Sequence, residues 1–296
     1  MDILMYIEPS QRNERGLRMH SENNANGMQK PYSPSTIKGT LASIFTSIPL
    51  IRVMMRRDLR LRYHSSILGY LWSLIEPLML AATYYFVFII IRGTADELYP
   101  LLVLTGILIW SMFTKTFRYG VNSMVKSAGL IQQVHFPHST LIVAKCGTNY
   151  VITALSMLVL IPFMIAYEIK LTLQIFFVLY GFLMTGLLAM GLGFMLAPAN
   201  VRYRDIDHLT GFMVRIGFFL TPIMYTMEYI PTKHHWWYLL ANPMAVNISV
   251  VRAGVLGQPL LISTQAIIYS FITTVSVFWF GLFAYSRMKN KAVKYL

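Results

Sequence analysis

The chain has 296 residues, of which 56% are hydrophobic and only 12% are charged, and its formal net charge is +13 at pH 7. Soluble domains carry about 25% charged residues, so this composition excludes a soluble globular protein and predicts an integral membrane protein. The length accommodates several membrane spans of about 20 residues each and no separate soluble domain of useful size. Cys146 is the only cysteine, which excludes a disulfide within the chain.

Three regions follow one another along the chain. Residues 1–40 are polar and lack the apolar segment of a signal peptide, so we expect a weakly ordered tail. Residues 41–66 are predicted to form an amphipathic helix on the cytoplasmic membrane surface. Residues 67–296 are predicted to form a six-span transmembrane domain, and the expected fold class is an all-α membrane protein.

Basic residues line one face of the predicted surface helix. Arg52, Arg56 and Arg60 recur at every fourth position, which places them on the same side of a helix. Asp58 and Arg62 have the spacing of an ion pair on one helix. Such a helix either anchors the chain at the membrane surface or packs on a partner protein. We expect it to continue without a break into the first span.

Six apolar runs have the length and composition of membrane-spanning helices. Their predicted boundaries are Leu68–Ile91, Leu98–Phe117, Leu141–Ala166, Leu171–Pro198, Leu209–Met227 and Leu261–Tyr285.

Glu76 is an ionisable residue near the start of the first predicted span, and Pro77 follows it. Charged side chains inside a membrane face a partner or a cavity, because their burial in lipid is costly. One interpretation pairs Glu76 with Lys115, Lys145 or Arg215. The other places it on the path of a transported substrate, and acid–base catalysis is the least favoured role.

Aromatic side chains are frequent in and near the first two spans. Most aromatic residues in such positions pack against lipid or lie at the membrane interface. Some could instead line a conduit, where their faces would stack on sugar rings. The candidates for a substrate channel are Trp72, Tyr84, Tyr85 and Trp110, together with Glu76.

The polar loops between spans are candidate contact surfaces. Residues 119–139 are too long for a tight turn and are predicted to contain a short helix on the cytoplasmic face. Residues 200–208 are dense in charge, which suits either a solvated turn or a docking site for a protein. Residues 228–260 form a long, mostly apolar outer loop that we expect to dip back as one or two short helices. Trp236 and Trp237 lie in this candidate outer gate.

The distribution of basic residues predicts the orientation of the chain. With both termini in the cytoplasm, all but four of the 25 lysines and arginines fall in cytoplasmic segments or adjoining span ends. The exceptions are Arg92, Lys170, Lys233 and Arg252. The positive charge is therefore a signal of topology and of contact with anionic lipid, and it does not indicate nucleic-acid binding.

Several motifs of enzymes are absent from the sequence. The chain has no Gly-x-x-x-x-Gly-Lys-Ser/Thr segment, so it has no P-loop for nucleotides. Its seven histidines do not have the spacing of a metal site, and no serine- or cysteine-centred catalytic motif occurs. We therefore expect neither a metal, nor a cofactor, nor a catalytic residue in this chain.

Short segments in a fixed order carry a resemblance to a known family. They are Arg-Asp-Leu-Arg-Leu-Arg-Tyr at 57–63, Ser-x-Leu-Gly-x-Leu-Trp at 66–72 with Pro77, Phe-Pro at 136–137, Tyr-Arg-Asp-Ile at 203–206, Thr-Pro-Ile-Met-Tyr at 221–225, and Asn-Pro-Met at 242–244 with Arg252. Over residues 40–290 the chain resembles the membrane subunits of ABC-2-type exporters of O-antigen, capsular polysaccharide or teichoic acid. The tail of about 40 residues is longer than this family leads us to expect.

The resemblance implies a half-transporter in the cytoplasmic membrane. Two copies would form the pore, and two separate ABC subunits, which bind ATP and Mg, would drive the export of a polyprenyl-linked polysaccharide. The expected contacts with those subunits are Arg52, Arg56, Arg57, Arg60, Gln132, His135, Phe136 and Pro137. The expected outer gate contains Trp236, Trp237, Asn242, Pro243 and Arg252.

Other functions remain open at this stage. An ABC-2 exporter of a drug or a small lipid would share the same spans. A membrane glycosyltransferase or acyltransferase would need acids or histidines clustered near one membrane face, whereas the twelve acids of this chain are scattered. A membrane scaffold without activity would not need the polar residues and prolines found inside the spans.

Overall fold

A computed structural model describes residues 36–63, 66–92, 97–231 and 234–296. Within these ranges the regular structure is entirely helical, which confirms the all-α prediction. Most of the predicted polar tail lies outside the described residues. The α-helices are α1 (Ile37–Thr46), α2 (Ile48–Tyr63), α3 (Trp72–Arg92), α4 (Tyr99–Lys126), α5 (Ala128–Gln133), α6 (Ser139–Met157), α7 (Leu160–Ala166), α8 (Phe176–Arg202), α9 (Asp205–Leu220), α10 (His235–Ala241), α11 (Pro243–Leu256) and α12 (Thr264–Ala292).

Four helical segments are long and apolar enough to cross a membrane, and they correspond to the second, third, fourth and sixth predicted spans. Two helix pairs, α1 with α2 and α10 with α11, reach that length only together, and they bend by 66° and 104°. The first and fifth predicted spans are α3 and α9, with 21 and 16 residues. The count of six spans therefore stays a prediction.

The basic helix and the first predicted span are separate helices. α2 ends at Tyr63 and α3 begins at Trp72. Between them Gly69 has a φ of +46°, which a residue with a Cβ adopts only with strain. The expectation that the basic helix continues directly into the first span is therefore wrong, because a turn built on this glycine separates the two helices.

The fifth predicted span ends earlier than its apolar pattern indicates. α9 ends at Leu220 rather than at Met227. Pro222 has no amide hydrogen, and inside a helix its ring would clash with the carbonyl of Phe218. The apolar run continues beyond this point, but the backbone turns away.

Glycines set the distance between the central helices. α8 packs along both α4 and α12. A Cβ added to Gly193 of α8 would lie 3.1 Å from Cα of Gly120 in α4. A Cβ on Gly281 of α12 would overlap the backbone carbonyl of Gly191. Small residues at such contacts allow membrane helices to approach closely and gain van der Waals contact.

Two groups of short helices lie at opposite ends of the long helices. At one end, here called the α2 end, an apolar cluster joins α2 and α5 to the C-terminal parts of α8 and α12. At the other, here called the α11 end, α10 and α11 pack on the beginnings of α8 and α12. Lys289 is buried at the α2 end, where its Nζ donates to Thr40 Oγ1 at 3.1 Å and so joins α12 to α1.

We predict that Gly281→Ala lowers the melting temperature of the detergent-solubilised protein, because the new methyl group would force α12 away from α8. Overpacking of this kind costs about 1–3 kcal/mol. Gly211→Ala is the matched control, since a Cβ there meets nothing within 4 Å. Alanine is the better helix former, so this control should melt at the same or a higher temperature. Equal melting of the two variants would contradict the close contact.

Candidate functional site

The four predicted arginines of α2 are all exposed. Arg52, Arg56, Arg57 and Arg60 lie on the solvent side of the helix, whereas its opposite side is buried on the α2-end cluster. The buried side is formed by Ile51 and Met54. α2 therefore presents a cationic surface while it is held by an apolar one.

α2 is joined to α6 by an ion pair and a side-chain contact. Asp58 Oδ2 lies 2.7 Å from Lys145 Nζ, and Asp58 Oδ1 lies 3.2 Å from the Arg57 guanidinium. Met55 lies against Gly147, where a Cβ would be 2.9 Å from its sulfur. The predicted partner of Asp58, Arg62, instead stands over the Tyr119 ring, with Cζ 4.6 Å from the centroid.

The predicted short helix after the second span is α5, and it lies beside α2. Ile131 of α5 and Phe136 share the apolar cluster that holds α2. Gln132 and His135 are exposed, whereas Phe136 and Pro137 are buried. The exposed pair is therefore available to a partner protein, and Phe136 and Pro137 hold the segment in place from inside.

The charged segment 200–208 is a tight connection between α8 and α9. Asp207 accepts a hydrogen bond from Asn122 Nδ2 at 2.7 Å and lies 3.4 Å from the Arg118 guanidinium. The segment is thus docked on α4 of its own chain and is more than a solvated turn.

An aromatic cavity lies between α3, α4 and α9. Its volume is about 360 Å³, and Tyr84, Trp110, Phe218 and Glu76 contribute to its wall. The ring centroids of Tyr84 and Phe218 are 5.6 Å apart, and those of Trp110 and Phe218 are 6.3 Å apart. Three predicted channel residues are therefore brought together, and Phe218 joins them.

Tyr85 does not take part in this cavity. Its ring packs on Tyr99 with the centroids 6.4 Å apart. Neighbouring residues of a helix point about 100° apart, so Tyr84 and Tyr85 cannot face the same space.

A polar cavity of about 340 Å³ lies on the other side of α3, between α3, α4 and α6. Trp72, Glu76, Lys115 and Arg62 line it. Glu76 Oε2 is 2.7 Å from Lys115 Nζ, which confirms the interpretation that Glu76 pairs with a basic residue. Glu76 and Lys115 line the aromatic cavity as well, so this ion pair stands in the wall that the two cavities share.

The predicted outer gate consists of two short helices at the α11 end. Trp236 and Trp237 are exposed on α10, with ring centroids 4.5 Å apart. Asn242 caps α11 by accepting a hydrogen bond from the Ala245 amide, and its Nδ2 donates to Thr221 Oγ1 at 2.9 Å. Pro243 is the first residue of α11, a position that needs no amide hydrogen.

Arg252 of α11 is buried and binds backbone carbonyls instead of a carboxylate. Nη1 donates to the carbonyls of Pro222 at 2.6 Å and Tyr225 at 2.9 Å, and Nη2 donates to that of Ile223. Nε donates to Leu102 of α4 at 3.2 Å. Arg252 thus fastens the turn after α9 to both α11 and α4.

Some residues of these sites carry a sequence signal and others do not. Lys115 is recognisable as an ionisable residue inside a predicted span. Arg62 and Phe218 reach their positions only through tertiary packing. Lys145 is also ionisable inside a predicted span, but tertiary packing pairs it with Asp58. Among the described residues, no three His, Cys, Asp or Glu side chains lie together as a metal site would require.

The fold and these surfaces define a class, a helical membrane protein with a cationic surface at one end and an ion-paired double cavity inside. Residues 49–256 match the ABC-2 type transporter family. The chain therefore belongs to the membrane subunits of ABC-2 type transporters.

Curated relatives of the chain are permeases of export systems. It is 26% identical over 253 residues to an O-antigen export system permease protein of Klebsiella pneumoniae. The aligned region covers 83% of this chain and 95% of the relative. It is 26% identical to the permease of the same name from Myxococcus xanthus, over 69% of this chain and 79% of the relative. The polysialic acid transport protein KpsM of Escherichia coli is 24% identical, over 70% and 81%.

We predict that Arg252→Leu strongly destabilises the protein. The substitution removes the donor to four carbonyls, and each buried carbonyl left without a donor costs about 1–3 kcal/mol. Arg204→Leu, which removes an exposed arginine beside the start of α9, is the control and should change the melting temperature little. Thermal unfolding in detergent measures both, and similar melting temperatures would contradict the role given to Arg252.

Proposed function

We propose that this chain is the membrane subunit of an ATP-driven exporter that moves a lipid-linked polysaccharide across the cytoplasmic membrane. The family and the named functions of its relatives support an export permease. The structural observation that carries the choice of substrate is the aromatic cavity between α3, α4 and α9.

The aromatic cavity suits a sugar polymer better than a small drug. Tyr84, Trp110 and Phe218 offer ring faces at different tilts, so sugars of different identity could stack as they pass. The neighbouring polar wall supplies Glu76, Lys115 and Ser111, which can exchange hydrogen bonds with hydroxyl groups. A conduit for a repeating polymer needs this combination of weak, repeated contacts.

The α2 end is proposed to be the cytoplasmic end, where the chain contacts its ATPase subunits. It exposes the arginines of α2 beside Gln132 and His135, and it holds most of the basic residues. This chain has no P-loop, so ATP and Mg would be bound by the partner. The full transporter would contain two copies of this chain and two ABC subunits.

Movement of α2 would reach the membrane through α6. The Asp58–Lys145 ion pair and the contact of Met55 with Gly147 join α2 to α6, whereas a turn separates α2 from α3. α6 carries Asn149 in the wall of the polar cavity, one helical turn beyond Lys145. ATP-driven closure of the partner subunits would therefore act on the double cavity from the α6 side.

The remaining features complete the proposed topology. α3 and α9 would be the first and fifth of six spans, and both termini would lie in the cytoplasm. α10 and α11 would form the extracytoplasmic gate, which Arg252 and Asn242 attach to the turn after α9.

The test is a mild-detergent pull-down of the tagged chain from its native membranes, with mass spectrometry of bound proteins and lipids. We expect a P-loop ATPase in equal amount together with a lipid-linked glycan. An ATPase without a glycan would favour the export of a drug or a small lipid. The absence of any ATPase would overturn the subunit proposal and return a membrane transferase to consideration.

We predict that Arg56→Glu combined with Arg60→Glu lowers the recovery of the ATPase subunit at least tenfold, because two exposed cations on one face of α2 become anions. Arg287→Glu combined with Lys291→Glu is the matched control, since it reverses two exposed charges at the same spacing on α12. The control should retain the partner. Equal retention by both double variants would exclude α2 as the contact.

We predict that Tyr84→Ala reduces export about two- to tenfold, because one aromatic contact contributes about 0.5–1.5 kcal/mol. Tyr85→Ala removes the neighbouring ring, which packs on Tyr99 outside the cavity, and it should reduce export less. Surface glycan per molecule of permease is the measurement. A larger loss with Tyr85→Ala would place the conduit elsewhere.

A further inference from the structure

The polar cavity between α3, α4 and α6 holds more positive than negative charge. Arg62 and Lys115 are its two cations, and Glu76 is the only acid among its lining residues. Lys115 is paired with Glu76 at 2.7 Å. Arg62 has no carboxylate partner in the part of the chain that the structure describes, and its guanidinium stands over Tyr119. One positive charge is therefore left for an anionic ligand.

The ion pair in this cavity is open to exchange. The side chains of Glu76 and Lys115 are 53% and 32% exposed, so neither is sealed in the protein. An anionic ligand that also contacts Arg62 could therefore replace the single carboxylate at Lys115.

The volume and lining of the cavity fit a phosphate better than a carboxylate. At about 340 Å³ the cavity has more room than one small ion needs. Phosphate offers several acceptor oxygens at once, which suits the guanidinium fork of Arg62 and the ammonium group of Lys115. The hydroxyl of Ser111 adds a donor, and Ser111 lines the aromatic cavity too.

We propose that this cavity binds the phosphate that joins the lipid to the glycan. In the absence of this phosphate, the Glu76 carboxylate pairs with Lys115 and so acts as an internal competitor. The inference rests on the proposed function, because it assigns one part of the exported molecule to one cavity. Since Glu76 and Lys115 also line the aromatic cavity, a phosphate bound at Lys115 would leave the attached sugars beside Tyr84 and Trp110. The competitor would keep this cation paired in the absence of substrate.

The test measures binding to the purified full-length chain in phosphatidylcholine nanodiscs. A polyprenyl phosphate, the matching polyprenol and phosphatidylglycerol are titrated separately. Tryptophan fluorescence reports occupancy, because Trp72 lines the cavity. Trp72→Phe should remove most of the signal change and so identify its origin.

Four variants give the expected pattern. Lys115→Gln and Arg62→Gln should each weaken binding of the polyprenyl phosphate about tenfold or more. Glu76→Gln should strengthen it several-fold, a gain that misfolding cannot imitate. Lys126→Gln removes an exposed charge from the end of the same helix, outside the cavity, and should leave binding unchanged. The polyprenol should bind at least tenfold more weakly than the phosphate.

Three results would overturn the proposal. Binding that does not depend on the phosphate would exclude the phosphate site, and binding that Glu76→Gln leaves unchanged or weakens would exclude the competitor role. Phosphatidylglycerol that binds as tightly, with the same dependence on Lys115, would make the cavity a site for bulk anionic lipid headgroups. If any of these results occurred while an ATPase and a glycan still co-purified with the chain, the export function would stand. Loss of the co-purifying partners with intact phosphate binding would instead count against the export function alone.

Discussion

The need to satisfy polar groups without water governs this structure. Unpaired carbonyls and charges are costly in a membrane-embedded chain, because lipid offers no hydrogen bonds. Arg252 meets this need by donating to four carbonyls where the turn after α9 interrupts a helix. Glu76 and Lys115 meet it by pairing across α3 and α4. In both places one polar contact holds together segments that are distant in the sequence.

The same requirement separates the structural sites from the candidate functional ones. Arg252 is buried and saturated, so it stabilises one arrangement of α11, α4 and the turn after α9. The Glu76–Lys115 pair is partly exposed and lines both cavities, so a ligand in either cavity could reach it. At the α2 end, the arginines of α2 face outward, while Asp58 turns inward to Lys145.

Much of this organisation could be predicted from the sequence, because the apolar runs and the basic residues are local signals. Four long apolar helices and the short helix α5 follow from these signals, and for Glu76 the signals offer pairing with a basic residue as one interpretation. Hydropathy could not predict that α9 ends at Leu220 or that the chain turns at Gly69. Backbone geometry at Pro222 and at Gly69 determines these two features. The choice between Tyr84 and Tyr85, and the carbonyl partners of Arg252, depend on which helices meet. Helical periodicity gives a direction for each side chain but does not say what lies there.

The glycine contacts of α8 distinguish helices that touch through their backbones from helices that touch through side chains. Gly193 against Gly120 and Gly281 against Gly191 bring the backbones of α4, α8 and α12 into direct contact. α3 and α9 meet the central helices through larger side chains around the aromatic cavity. A methyl group at one of these glycines would therefore push long helices apart along their backbones, whereas a smaller ring in the aromatic cavity would only widen a space between side chains.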